Sequence, residues 1–380
     1  MTSKPILFNM TPAELEQFVT GLGEPKFRAK QISEWISRGA PDFSVMKNLP
    51  EPLRQKLNDS AQTMPATIDK RLESADKQTV KFLLAMADGQ KIETVLMRTS
   101  YGNSVCVSGQ AGCAMGCKFC ASTLLGLHRN LTMNEMIAQV LVAQWELYSG
   151  ANSRPISQKP NGDPNNNEVS HIVVMGTGEP LQNTENLRGF LEYANSKLGI
   201  SWRRITVSTC GIVPGIAELT EWARPINLAI SLHAPNDTLR SALMPINNKY
   251  PIAEVLDAAF ANSEKTGRQL MVEYILLETP VGANVNSPDL CTNSDRANLH
   301  SPLRNCAPEQ AVELAALLRG KNVMVNLIPM NAVAERDFAA PSGNAVHRFQ
   351  DTLIQSGVHT RIRRERGADI GSACGQLRIK

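Results

Sequence analysis

The sequence predicts an α/β protein: a parallel sheet, open or curled into a partial barrel, preceded by a small helical domain and a short antiparallel β extension. Three observations carry this expectation. Six strand-like segments alternate with helical patterns between residues 104 and 328. Residues 66–98 hold two apolar runs on either side of Asp88-Gly89, a pair suited to a hairpin turn. Phe27, Ile32, Trp35 and Ile36 recur at roughly helical spacing within residues 27–39.

In order, residues 1–65 read as the helical domain. Lys26, Arg28, Lys30 and Arg38 fall among its apolar positions, which makes either a solvated basic face or a surface that touches RNA. Residues 66–98 form the extension. The main domain, 99–335, holds the strands SVCVS (104–108), HIVVM (171–175), RITVS (204–208), INLAISL (226–232), LMVEYILL (270–277) and VMVNLI (323–328). The clearest helix, 132–148, opens with Thr132 three residues before Glu135, a capping-box signature. Two stretches, 149–168 and 280–307, are rich in Pro, Gly and Asn and read as exposed loops. Cys291 and Cys306 fall in the second and read as incidental surface thiols. The last segment, 336–380, has one helical pattern and then four arginines, Arg361, Arg363, Arg364 and Arg366.

Composition narrows the function classes. Hydrophobic residues make up 42% of the 380, enough for a sizeable core. No apolar run is long enough to span a bilayer, and MTSKPILFNM lacks the features of a secretory signal, so the expectation is a cytoplasmic protein without a membrane partner. A net charge of +3 permits a nucleic-acid partner without demanding one. In a reducing compartment the eight cysteines are not expected to form structural disulfides.

Four of those cysteines crowd into residues 106–120, and the run Cys113-Ala-Met-Gly-Cys117-Lys-Phe-Cys120 can wrap one small metal cluster. Structural zinc sites and iron–sulfur clusters ordinarily use four protein ligands, so three cysteines leave one metal position open. The run follows a predicted strand. Other strands also end in polar or glycine residues: Gly176-Thr177-Gly178-Glu179, Ser208, Ser231, His233 and Asn326. In a parallel sheet these ends share one rim, the place for chemistry. Taken singly, each has an ordinary reading: a turn, a hydroxyl satisfying backbone, a core histidine. Together they suit a cofactor with an amino acid, a ribose and an adenine. Cys374, among Gly, Ser and Ala near the C-terminus, is either a stray thiol or one that the tail folds into the rim.

The C-x3-C-x2-C spacing resembles that of the radical S-adenosylmethionine superfamily, in which the amino and carboxylate groups of S-adenosylmethionine chelate the open iron. More closely, the sequence resembles the RlmN family of bacterial RNA methyltransferases, which modify carbon 2 of adenosine. The matching stretches are FRAKQISEWI, VCVSGQAGCAMGCKFCAS, GTGEPLQN, ITVSTCG, LAISLHAPND, MPIN, VEYILL, VNLIPMN and RRERGADIGSACGQL, spread over nearly the whole chain. Thr177 stands where the family has Met and Cys210 where it has Ser, and the two polar stretches are longer than usual.

The resemblance implies a partial (β/α)6 barrel of the radical S-adenosylmethionine type. It implies a 4Fe–4S cluster, one per chain, on Cys113, Cys117 and Cys120. Gly178, Glu179, Ser208, Ser231, Leu232, His233 and Asn326 would line the S-adenosylmethionine site, and two molecules of that cofactor would be consumed per methylation. Cys374 would carry the methyl group, Cys106 would resolve the product through a transient disulfide, and Glu93 would accept a proton; by itself Glu93 reads as a solvated strand glutamate. The implied partners are 23S ribosomal RNA, transfer RNA and an electron donor such as a flavodoxin system. Two alternatives remain at this point: Cfr-type methylation of carbon 8 of adenosine in 23S ribosomal RNA, and a non-catalytic RNA-binding protein with a structural metal.

Overall fold

The computed structural model describes residues 4–150, 167–279, 304–364 and 366–377. Most of the two polar stretches, with Cys291, lies outside these.

Three helices come first: α1 (Pro12–Gly21), α2 (Phe27–Ser37) and α3 (Glu51–Ser60). Thr11 caps α1. Its hydroxyl accepts from the Glu14 amide, and the Glu14 carboxylate accepts from the Thr11 amide in return. Leu15, Val19, Ile32, Ile36, Leu53 and Leu57 close these helices around a hydrophobic core of their own, running from Leu7 to Ala61.

The sheet follows. β1 (Ala66–Glu73), β2 (Thr79–Met86), β3 (Lys91–Thr99) and β4 (Gly102–Cys106) pair antiparallel in sequence. β5 (Gln110–Gly112) and β6 (Leu127–Asn130) form a small separate hairpin. α4 (Met133–Gly150) starts with the expected Thr132–Glu135 capping box. From β4 onward the pairing is parallel, through β7 (Val169–Val174), β8 (Ile205–Thr209), β9 (Asn227–Ser231), β10 (Leu270–Leu276), β11 (Val323–Pro329) and β12 (Thr360–Ile362). The connecting helices are α5 (Thr184–Ser196), α6 (Val213–Trp222), α7 (Asp237–Leu243), α8 (Ile252–Thr266), α9 (Pro308–Leu318) and α10 (Gly343–Gln355).

All six predicted parallel strands are present. Four strands lack a sequence signal. β1 is a solvated edge, with Lys70 and Arg71 in its middle and only Ala66 buried, so it shows no clean alternation. β5, β6 and β12 have three or four residues each, too few to display a period. The antiparallel extension has three strands, β1–β3, and through the β3–β4 pairing it leads into the main sheet.

Ile172, Val272, Val325 and Leu327 are fully buried on the helix-covered face. The opposite face turns Met97, Ser104, His171, Thr206, Asn227, Glu273, Asn326 and Arg361, from eight different strands, into one cavity of about 820 Å³. A single cavity can be lined by eight strands only if the sheet curls around it. β1 and β12 remain edges, so the result is a partial barrel. No helix among the described residues is long and apolar enough to cross a membrane.

The helical domain meets the barrel at α4, where Trp35 and Trp145 stack at a tilt, 6.3 Å between centroids. Beside them Gly39 has φ +83°, and a Cβ there would lie 2.1 Å from the Leu141 carbonyl oxygen. Gly39→Ala is therefore expected to loosen the helical domain from α4 without unfolding either. Limited proteolysis should cut the variant between about residues 61 and 66 faster than wild type, with the barrel fragment intact.

Candidate active site

The rim is built around the loop that β5 and β6 close. Gly112 has φ +76°, and a Cβ on it would fall 1.9 Å from the Gly126 carbonyl oxygen, so only glycine lets the neck shut. The Cys113 amide then donates to that same carbonyl at 2.9 Å. Within the loop Cys113, Cys117 and Cys120 line one cavity of about 160 Å³. Burial pushes the Cys113 thiol up to about 11 and also raises Cys117 and Cys120, and the thiols raise one another further. Three thiolates at this spot need positive charge from a ligand. Among the described residues no three His, Cys, Asp or Glu side chains converge on one point as ligands of a single ion do. Three thiols spaced around a shared cavity fit a multi-iron cluster better than one zinc.

The same cavity is walled by Gly178, Glu179, Ser208, Ser231 and His233, all at the C-terminal ends of parallel strands. Gly178 has φ +102°, and a Cβ would press within 2.5 Å of the Gln110 side chain. Glu179 is buried, with one carboxylate oxygen accepting from the Leu181 amide at 2.9 Å and the other from the Cys210 amide at 2.8 Å. Burial raises its pKa and these bonds pull it back. The Ser208 and Ser231 hydroxyls face each other at 3.5 Å. His233 has φ +60°, and its Nδ1 accepts from the Ile275 amide at 3.0 Å. Burial drives its pKa down to about 3, so the ring is neutral and carries its proton on Nε2. A buried carboxylate, two hydroxyls and a neutral imidazole beside the thiols fit a zwitterionic amino-acid cofactor bearing a ribose.

Two further residues expected there, Leu232 and Asn326, adjoin residues that wall this cavity. Leu232 is buried behind the rim, its amide donating to the Glu273 carbonyl at 3.1 Å. Asn326 opens onto the large cavity. Its amide nitrogen donates to Glu273 at 2.6 Å, and its amide oxygen accepts from Arg361. Both fell within a strand-end motif, and position along a strand does not say which face or neighbour a side chain meets.

Arg240 on α7 carries no sequence signal, because DTLRSAL reads as an ordinary amphipathic turn. Yet it is fully buried. Its guanidinium donates to the carbonyls of Cys210, Ser231, Leu232 and Tyr250 and to the side chain of Asn247. One cation thereby ties the ends of β8 and β9 to the chain beyond α7.

The tail folds into the rim. Ala121 donates to the Gly375 carbonyl at 2.8 Å, Ser122 to the Leu377 carbonyl at 2.9 Å, and Asn331 to the Cys374 carbonyl at 3.2 Å. The residues around Cys374 become the common wall of three cavities. Cys374 and Gly375 face the thiol cavity. Ser372, Ala373 and Cys374 face the 820 Å³ cavity, with Arg203, Arg204, Arg361, Arg363, Arg364 and Arg366. Gly371 and Gln376 face a third, of about 250 Å³, with Glu93 and Lys81.

Glu93 is not a solvated strand residue. It is 4% exposed and 3.0 Å from the Lys81 ammonium, which also donates to the Gly371 carbonyl. Cys106 packs with Val95 and Leu377 under the tail. Burial first, and then the charge Cys374 can carry, push its thiol up to about 12. Arg363 lies against both the thiol cavity and the 820 Å³ cavity, and attraction to Cys374 and Glu273 raises its pKa. Cys306 is buried too, not the surface thiol the loop composition implied.

A solved radical SAM methyltransferase from Sphaerobacter thermophilus superposes on the chain with a TM-score of 0.78 at 38% identity, covering 98% of this chain and 99% of that one. With the curled parallel sheet and the three-cysteine rim loop, this defines the class: a radical S-adenosylmethionine methyltransferase. The profile of the ribosomal RNA large subunit methyltransferase N-terminal domain matches residues 6–63, the stretch with its own core. Proteins named "Probable dual-specificity RNA methyltransferase RlmN" are 44% identical in Symbiobacterium thermophilum, over 97% of this chain and 90% of theirs, and 42% identical in Alkaliphilus oremlandii, over 98% and 97%. The chain belongs to the RlmN family.

Arg240→Met should strand several buried carbonyls. A loss of about 3–5 kcal/mol in urea unfolding at neutral pH is expected, with Arg240→Lys falling between the two because an ammonium has only three donors.

Proposed function

We propose that this protein methylates carbon 2 of an adenosine in ribosomal and transfer RNA, with Cys374 carrying the methyl group to the base. The observation that carries this reading is the tail wall, which sets Cys374 between the thiol-lined cavity and the arginine-lined one. Cys113, Cys117 and Cys120 would hold a 4Fe–4S cluster, and Gly178, Glu179, Ser208, Ser231 and His233 would surround S-adenosylmethionine. Bound there, cluster and cofactor supply a methyl group and, from a second cofactor molecule, a 5′-deoxyadenosyl radical.

Carbon 2 of adenine lies between two ring nitrogens and has no usable lone pair, so it cannot attack a sulfonium methyl. A thiolate can, and Arg363 stands beside Cys374 in both cavities that the tail divides. Once the carbon is joined to the Cys374 sulfur through its new methylene, the radical adduct must lose one electron, which the oxidised cluster would take back, and the hydrogen on carbon 2 must leave as a proton. Glu93 would take it, with Lys81 holding the carboxylate in place. Cys106 would then attack the Cys374 sulfur: a sulfur–sulfur bond forms, the sulfur–carbon bond breaks, and the carbon takes a proton to become methyl. An external dithiol would restore the two cysteines.

The larger cavity supports an RNA substrate. Its six arginines can hold phosphates. Tyr101, 67% exposed at the β3–β4 turn, stands edge-on to His171 and offers a ring face to a base drawn out of its stack. On the helical domain, Arg28 covers the exposed ring of Phe27 at 4.9 Å, an aromatic–cation pair suited to RNA. The relatives matched over nearly their full length are named RlmN, which favours carbon 2 over carbon 8.

The test is incubation of reconstituted protein with S-adenosylmethionine, reductant and ribosomal RNA, then nucleoside analysis. 2-Methyladenosine is expected; 8-methyladenosine alone would overturn the assignment. Cys374→Ala should abolish methylation, and Cys106→Ala should leave RNA covalently attached to the protein, visible as a shifted band on a denaturing gel. Because the Cys106 thiol sits near 12, product release should accelerate with pH, roughly tenfold per unit between about pH 7 and 9 in single-turnover assays where release is limiting.

A further inference from the structure

Among the described residues, the thiol cavity and the 820 Å³ cavity share five: Met175, Glu273, Ile328, Arg363 and Cys374. A molecule that reaches Cys374 from the arginine side meets this boundary, and Glu273 is its carboxylate. Glu273, on β10, is 3% exposed and fixed at one oxygen. Asn326, its register partner on β11, donates to Oε1 at 2.6 Å, and Arg361, the next partner on β12, donates to Asn326 in turn. The other oxygen, Oε2, is buried and accepts no hydrogen bond. A buried acceptor in that state costs stability, which marks a place where a ligand supplies the missing donor. The Arg363 guanidinium faces Oε2 at 3.6 Å, an ion pair too long to be a hydrogen bond.

The order along the boundary matches one edge of one nucleobase. Arg363 is paired with Glu273 and also attracted to Cys374. A base seated there meets an acceptor, a donor and then a thiol. Adenine offers the complement along its Watson–Crick edge: the amino group donates, ring nitrogen 1 accepts, and carbon 2 comes next. Guanine offers an oxygen, a ring N–H and a carbon 2 already bearing an amino group, so both charges meet the wrong polarity. Enzymes that act on a flipped base read this edge by hydrogen bonds and hold the ring among apolar side chains. Met175 and Ile328 supply apolar surface at the same boundary.

We propose that Glu273 and Arg363 select the substrate base: Glu273 Oε2 accepts from the adenine amino group, Arg363 donates to ring nitrogen 1, and carbon 2 is thereby set against Cys374. This rests on the methylation reading above and deepens it. A cationic donor on nitrogen 1 also draws electron density from carbon 2, which favours attack by an electron-rich carbon radical. The cofactor is the weaker candidate for Oε2. Glu179, Ser208 and Ser231 already offer it polar partners within the thiol cavity, whereas the base must come to the boundary to meet Cys374.

The experiment uses the anaerobically reconstituted full chain and a short RNA hairpin that wild type methylates. The target adenosine is replaced by purine riboside, which lacks the amino group, or by inosine, which has an oxygen in its place. Wild type should methylate the adenosine hairpin with kcat/KM at least about tenfold above purine riboside, because the analogue leaves a buried charged acceptor unpaired. Glu273→Gln keeps an oxygen for Asn326 and turns an N–H toward the base. It should shrink that preference to about threefold or less and raise inosine relative to adenosine at least about tenfold. Hairpin affinity, read by fluorescence anisotropy, should follow the same pattern. Calorimetric binding of S-adenosylhomocysteine should change by less than about threefold in Glu273→Gln, which shows that the variant is folded and that the cofactor does not use Oε2. Equal use of purine riboside and adenosine by wild type would overturn the proposal, with no variant needed. So would unaltered base preference in Glu273→Gln, or a tenfold loss of S-adenosylhomocysteine binding alongside intact preference. Absence of any adenosine methylation by wild type would instead sink the methylation reading.

Discussion

The site depends on a buried charge that makes no ion pair among the described residues. Parallel strands that stop at a rim leave carbonyl groups pointing out of the sheet with no partner strand to accept from. In this protein the carbonyls of Cys210, Ser231 and Leu232 are in that position, with Cys210 and Leu232 buried and Ser231 half-buried. Arg240 satisfies them with one planar fork. Burying a guanidinium costs several kcal/mol, and only a full set of hydrogen bonds offsets it. The consequence is rigidity where it is needed: Ser208, Ser231 and His233 all sit on backbone that Arg240 fixes directly or through one neighbour. Its positive charge also reaches His233 and Cys117, adding to the burial that keeps the imidazole neutral and opposing in small part the burial that raises the thiol.

The second constraint is the tail. Its glycines Gly367, Gly371 and Gly375 all adopt left-handed backbone, which lets a short segment double back over the rim. Because that segment separates three cavities, one cysteine on it can face two of them while its neighbours reach Lys81, beside Glu93. The arrangement explains how a single thiol could serve a cofactor on one side and a base on the other without a large movement. Small side chains at Ser372 and Ala373 keep the wall thin. The two thiols of the proposed exchange differ in setting: Cys374 lies open to two cavities, while Cys106 is sealed under Leu377, its ionisation opposed by both burial and its partner. Such asymmetry suits a pair in which one thiol acts early and the other late.

How much of this was legible in the residues follows from the range of the forces involved. The six parallel strands, the α4 cap and the β2–β3 turn depend on periodicity and on local hydrogen bonds, and a linear pattern records both. The three cysteines of the rim loop are legible for the same reason, since one tight loop spaces them. The rim was legible as a set, because a parallel sheet puts all strand ends on one side whatever the fine geometry. Short strands and solvated edges escaped, since three residues cannot show a period and an edge strand need not alternate.

The sequence by itself determined the alternation of elements, the family and the candidate reactive side chains, because these are properties of neighbours along the chain. Only the tertiary structure decided that Glu93 is buried against Lys81, that Asn326 belongs to the arginine cavity, that Cys306 is inside, that Arg240 is the hub of the rim and that Cys374 divides two cavities. Each of those facts joins residues tens to hundreds of positions apart, and burial and hydrogen bonding at such separations are settled by packing, which leaves no local trace in the order of residues.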